Sequence, residues 1–176
     1  MPRKPVILGL FGLTALIQIA VPAGIAWKKE TVLRTGKLFK FSVHGRDPRD
    51  FFKGSYIRLW FTLCDLPVPR SAVGKNGDHV FLVLKTDKDG YAAVKAALPE
   101  RPTGAEDYVK ARVVKDYRGI FFPRFEFDRF YLDEETAKKA DGLAGSSRRG
   151  PSYALVRIKD GDAVVENVVI QGVSLK

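Results

Sequence analysis

Cysteine and histidine are nearly absent. One cysteine, Cys64, among 176 residues leaves no internal disulfide framework and no Cys₄ or Cys₃His zinc set. The two histidines, His44 and His79, stand 35 positions apart and read as surface or strand-edge side chains, not as a relay. There is no P-loop, no Rossmann glycine pattern and no Gly-x-Ser-x-Gly elbow. Cys64 follows an apolar strand with no adjacent activating group, so it reads as a small buried side chain. Asp87 and Asp89 open like a calcium loop, but the remaining ligands are missing and a hairpin turn accounts for them. Lys53-Gly54-Ser55 echoes a structural strand of signal peptidases. No Ser-x-x-Pro nucleophile segment follows, however, and a serine without a placed base is too weak to attack. The sequence assigns no catalytic residue, metal or cofactor; an anchored hydrolase with an undetected site is the alternative reading.

Charge is missing from one long stretch. Val6–Ala26 is 21 residues without a charged side chain, roughly 30 Å as a helix, which matches the hydrocarbon core of a bilayer. Arg3 and Lys4 precede it, and Trp27, Lys28 and Lys29 follow as an interfacial anchor. A cleaved signal peptide is the rival, with Gly24-Ile25-Ala26 as its cleavage site, but the run exceeds a usual h-region. At 100° per residue, Gly9, Gly12, Leu16, Ala20 and Ala23 fall on one narrow face, and Gln18 lies opposite. Small residues permit close helix approach and a mid-span amide favours a hydrogen-bonding neighbour, although single-span anchors tolerate both. The division is an anchor over 1–29 and a β-rich domain over 30–176.

The second region reads as short strands separated by turns. Tyr56–Leu63 alternates, with Ile57, Leu59, Phe61 and Leu63 on one face and Tyr56, Arg58, Trp60 and Thr62 on the other. Further strands are expected at Val32–Val43, His79–Thr86, Tyr91–Leu98, Tyr108–Tyr117, Phe121–Leu132, Tyr153–Lys159 and Ala163–Leu175. Asp87-Lys88-Asp89-Gly90 and Lys159-Asp160-Gly161-Asp162 are hairpin turns. One short helix, Asp133–Ala140, is capped by Asp133. The fold class is mainly β: an antiparallel sandwich or small open barrel with one short helix.

Net charge of +10 favours anionic surfaces. Aromatic and basic residues interleave along Tyr56-Arg58-Trp60 and Phe121–Tyr131, a pattern that can stack bases. The anchor counts against nucleic acid, and an anionic lipid surface is the simpler partner.

The run Asp47-Pro48-Arg49-Asp50-Phe51-Phe52-Lys53-Gly54-Ser55-Tyr56-Ile57-Arg58-Leu59-Trp60-Phe61 resembles the signature of the GDYXXLXY proteins. Gly54, Tyr56 and Leu59 match it, whereas Ser55 replaces an aspartate and Phe61 the final tyrosine. Arg129-Phe130-Tyr131-Leu132-Asp133-Glu134 and the closing Ile170-Gln171-Gly172 are similar to later segments of that family. The resemblance implies a bacterial, membrane-anchored companion of multi-pass membrane proteins, with its domain outside the cytoplasm. Flanking charge alone leans the other way, but long domains translocate despite it. Structurally, the signature reads as a turn leading into a core strand. Functionally, Asp47, Arg49, Asp50, Tyr56 and Arg58 would form a polar binding surface beside that strand, while Gly9, Gly12, Gln18, Ala20 and Ala23 would serve helix packing.

Overall fold

A computed structural model describes residues 3–44, 56–144 and 150–175. Its first element, α1 (Arg3–Thr35), does not stop where the apolar run stops. The helix continues past Ala26 and ends at Gly36, whose N–H donates to the Val32 carbonyl at 2.8 Å. Glycine is required there by close approach: a Cβ would meet the Val32 oxygen at 2.4 Å and the Ile158 backbone at 3.1 Å. The strand expected from Val32 therefore begins only at Lys37, and the boundary between residues 29 and 30 falls inside the helix. Docking explains the difference. Val32, only 3% exposed, is buried where α1 meets the sheet, and that contact overrides the β preference of a branched side chain.

Strands β1 (Lys37–His44), β2 (Tyr56–Arg58) and β3 (Trp60–Phe61) come first. β4 (His79–Thr86), β5 (Ala92–Leu98), β6 (Tyr108–Lys115), β7 (Phe121–Arg124) and β8 (Arg129–Tyr131) follow. Helix α2 (Glu134–Ala144) then leads to β9 (Tyr153–Lys159), β10 (Asp162–Ile170) and β11 (Val173–Ser174). One sheet has the order β11-β10-β9-β1-β3, another β5-β4-β6-β7, and β2 pairs with β8 as a separate ribbon. Every named strand pair is antiparallel. The fold is mainly β, as the turn spacing implies, and the sheets curve into a half-barrel.

Local chemistry sets the tight connections. Asp160 and Gly161 have φ of 53° and 85°, the paired positive values of a two-residue hairpin turn between β9 and β10. Asp87 Oδ1 accepts the N–H groups of Asp89 and Tyr91 at 3.0 and 2.7 Å, closing the β4–β5 turn. Asp133 caps α2, its Oδ1 accepting the Thr136 N–H at 2.8 Å, and the helix runs to Ala144 instead of Ala140. Pro123 lies on β7, an edge strand, where a missing donor is tolerated.

Three expected long strands are each divided. Tyr56–Leu63 becomes β2, β3 and a 3₁₀ turn over Thr62–Asp65. Phe121–Leu132 becomes β7 and β8, and Ala163–Leu175 becomes β10 and β11. In each case the chain changes pairing partner or reverses, and it must bend to do so. The alternation survives the bend: Ile57, Leu59, Phe61 and Leu63 are all buried. They join Phe41 from β1, Leu82 from β4, Val109 and Val113 from β6 and Val156 from β9 in one core.

Candidate functional site

The signature strand acquires its surroundings from a segment some 70 positions further on. β2 pairs with β8 in the register Tyr56↔Tyr131, Ile57↔Phe130 and Arg58↔Arg129. Because side chains alternate along a strand, Ile57 and Phe130 turn to the core and the other four share the opposite face. The Tyr56 and Tyr131 rings lie 5.7 Å apart, and the Arg129 guanidinium stands 5.5 Å from the Tyr56 ring. The Tyr131 hydroxyl, with Tyr56 and Asp128 adding to it, holds the Arg129 guanidinium above its ordinary pKa, so it stays cationic.

Arg58 donates through Nε to Asp128 Oδ2 at 3.0 Å. Asp128 also accepts the Leu59 N–H on its backbone oxygen at 2.7 Å, which fixes the kink between β2 and β3. One residue on, the Arg124 guanidinium lies 3.7 Å from the Trp60 ring centroid, and Trp60 Nε1 donates to Asp65 Oδ1 at 2.8 Å. His44 Nε2 is 3.5 Å from the second oxygen of Asp65. Between these groups lies a recess of about 310 Å³, walled by Arg58, Trp60, Arg124 and Asp128. Phe61 and Phe125 also line it. They pack with Phe41 and Phe127, edge to face or stacked, at centroid separations of 4.8 to 6.1 Å.

The described part of this surface presents guanidiniums, rings and carboxylates. A guanidinium stacked on a ring presents its N–H edge to carboxylates and carbonyls. Cys64, beside the recess, has its thiol pushed up to about 11 by burial and stays protonated at neutral pH. Among the described residues, no three metal-capable side chains cluster.

The family model described as GDYXXLXY protein matches residues 18–168, most of the chain. The chain belongs to the GDYXXLXY family. No curated protein and no solved structure matches it.

In this GDYXXLXY protein the proposed site residues separate into three groups. Tyr56 and Arg58 lie together on β2, as the alternation requires. Asp47, Arg49 and Asp50 lie outside the described residues. Gly9, Gly12, Gln18, Ala20 and Ala23 are exposed along α1, remote from the signature. Alternation along Tyr56–Leu63 does not by itself bring Arg124 to Trp60, or Arg129, Tyr131 and Asp128 to the signature. The interleaved basic and aromatic residues of Phe121–Tyr131 were the available signal; what the pattern lacked was the pairing of that segment with Tyr56–Arg58.

α1 is long and apolar enough to cross a membrane. Its large side chains from Ile7 to Ile25 are exposed on every side, Leu8 at 73%. Its last turns are docked instead: Lys28 Nζ meets Asp162 at 2.7 Å and Lys29 Nζ donates to the Ala163 carbonyl at 3.3 Å. Lys159 Nζ donates to Thr35 Oγ1 at 2.8 Å, and Arg157 donates to the Gly36 carbonyl at 3.1 Å.

Proposed function

We propose that this protein is a single-pass, non-catalytic membrane protein that binds a multi-pass membrane partner, with its β domain outside the cytoplasm. The observation that carries this reading is the contrast within α1. From Ile7 to Ile25 its large apolar side chains are exposed, while its final turns are held by a buried valine and several polar contacts. An apolar helix exposed all round is suited to lipid, and within lipid only close packing and polar contacts select a partner. The stripe of Gly9, Gly12, Ala20 and Ala23 supplies the first and Gln18 the second.

The signature face supplies a second contact. β1 runs from the end of α1 to His44, which pairs with Trp60. Eight residues of strand cover roughly 25 Å, so a partner that engages both regions must reach that far from the helix end.

The test is fractionation and recovery. The full-length chain should stay with membranes after alkaline wash, and a C-terminal reporter active only outside the cytoplasm should be active. A soluble chain beginning near Trp27 would establish the signal-peptide reading instead. The paired substitution Gly12→Leu and Ala20→Leu should preserve insertion and reduce recovery of the membrane partner from mild detergent. The pair Tyr56→Ala and Arg58→Ala should reduce it through the other contact. Unchanged recovery with both pairs would sink the binding proposal.

A further inference from the structure

We propose that the cleft where α1 meets the β9–β10 turn holds the phosphate of an anionic lipid headgroup. The inference rests on the anchored reading above and adds a ligand to it.

Position comes first. Lys28 lies two residues, about 3 Å of helix rise, beyond the apolar run, and its Nζ contacts Asp162 at the β9–β10 turn. Trp27, 78% exposed, marks the interfacial level. A headgroup in the adjoining leaflet is therefore at the height of the cleft, which has a volume of about 560 Å³.

Charge comes second. Lys28, Arg101, Lys110 and Lys159 line the cleft, against Asp160 and Asp162. The two carboxylates are engaged by Arg101 at 3.3 Å and Lys28 at 2.7 Å, and Lys159 donates to the neutral Thr35 hydroxyl. Lys110 has no acidic partner among the described residues. Two positive charges thus remain in excess beside a bilayer, where each basic side chain attracts anionic lipid.

The third observation is independent of charge. Tyr108 forms part of the cleft wall and is 5% exposed, and its hydroxyl is buried without a hydrogen-bond partner among the described residues. Its ring lies over Gly161, where a Cβ would come within 2.6 Å, and edge-on to Phe81 at 5.9 Å. A buried O–H without an acceptor is left at a cost. In this proposal the ring turns as the lipid seats, so that the hydroxyl donates to a phosphate oxygen.

The test uses the full chain purified in non-ionic detergent and titrated with short-chain phosphatidylglycerol, short-chain phosphatidylcholine and inorganic phosphate. Binding is read as retained lipid by native mass spectrometry and as a shift in thermal midpoint. Phosphatidylglycerol should bind more tightly than phosphatidylcholine, whose choline cancels the phosphate charge. Lys110→Gln should weaken the phosphatidylglycerol affinity about fivefold. Tyr108→Phe should weaken it while leaving the lipid-free protein as stable as before or more so, an outcome that a purely structural hydroxyl would not give. Equal affinity for the two lipids, or unchanged phosphatidylglycerol affinity in both folded variants, would overturn the proposal. Inorganic phosphate binding as tightly as the lipid would overturn the lipid assignment in favour of a free anion. Alkaline-wash retention is measured separately, so loss of the anchored reading is distinguishable from loss of this one.

Discussion

Where α1 meets the sheets, lysines reach carboxylates and carbonyls across a surface that water enters; Lys28 and Asp162 are the pattern. Where β2 meets β8, guanidiniums lie against rings, and beneath them four phenylalanines pack among themselves. The two ends of one domain are thus fastened by different physics. Exposed ion pairs are screened by salt and contribute little each, whereas buried aromatic area is insensitive to salt and contributes several kcal/mol. The difference teaches where each end can be tuned. The helix junction responds to ionic conditions, and the signature end responds to shape.

Two single substitutions and two double-mutant cycles test that contrast, beginning with the largest effect. Phe61→Ala removes a ring that is 1% exposed and touches three other phenylalanines, and it should lower unfolding stability by about 3–5 kcal/mol. Denaturant unfolding in detergent measures this, and the loss should be the same at low and high salt. A loss that changed strongly with salt would break the comparison. Next comes Gly36→Ala, which places a methyl group 2.4 Å from the Val32 oxygen at the helix exit. It should cost about 1–3 kcal/mol by forcing the junction apart. Protease cleavage between α1 and β1 should rise with it, and an unchanged cleavage rate would show that the junction yields without strain.

A double-mutant cycle on Lys28→Ala and Asp162→Ala should give a coupling of about 0.2–1 kcal/mol that fades with added salt, since both side chains are partly exposed. The matching cycle on Arg124→Ala and Trp60→Leu should give about 0.5–1 kcal/mol and hardly fade. Equal salt dependence in the two cycles would erase the distinction between the ends.

The smallest effect concerns neither end. Thr136, through its N–H and then its hydroxyl, holds the Asp133 carboxyl below its ordinary value of 3.8. A carboxylate depressed in the folded state contributes stability above its unfolded pKa and loses it as pH falls through the folded value. The capping contribution of Asp133 should therefore be complete at neutral pH and fade below about 4. Asp133→Asn keeps a capping oxygen without the charge, and its thermal midpoint should show less acid dependence than that of the wild type.

Local signals placed much of this architecture correctly. His79–Thr86 and Tyr153–Lys159 are strands with those bounds because Asp-Gly turns stop the chain sharply after each. Asp133 caps its helix because a carboxylate two or three residues before free N–H groups has an obvious partner. Ile57, Leu59 and Phe61 are buried because alternation holds even through a bend. What sequence could not show is set by distant residues. Val32 is helical because β9 and β10 receive it, and Tyr56–Leu63 breaks because β2 and β3 have different partners. Of the proposed binding residues, Tyr56 and Arg58 do share a face. Their companions Asp128, Arg129 and Tyr131 reach them only through a register that neither segment encodes alone.

The unbroken passage of α1 from its apolar run into its docked end makes the helix a drive shaft. An intervening flexible linker would let the span rotate freely beneath the domain; here the two share one angular phase. Each residue added between Ala26 and Trp27 would turn the stripe of Gly9, Gly12, Ala20 and Ala23 by about 100° relative to Tyr56 and Arg58, and raise the domain by about 1.5 Å. Seven added residues would return the phase to within about 20° at a different height. Azimuth and elevation of the signature face relative to the apolar run are therefore written into the residue count of one helix.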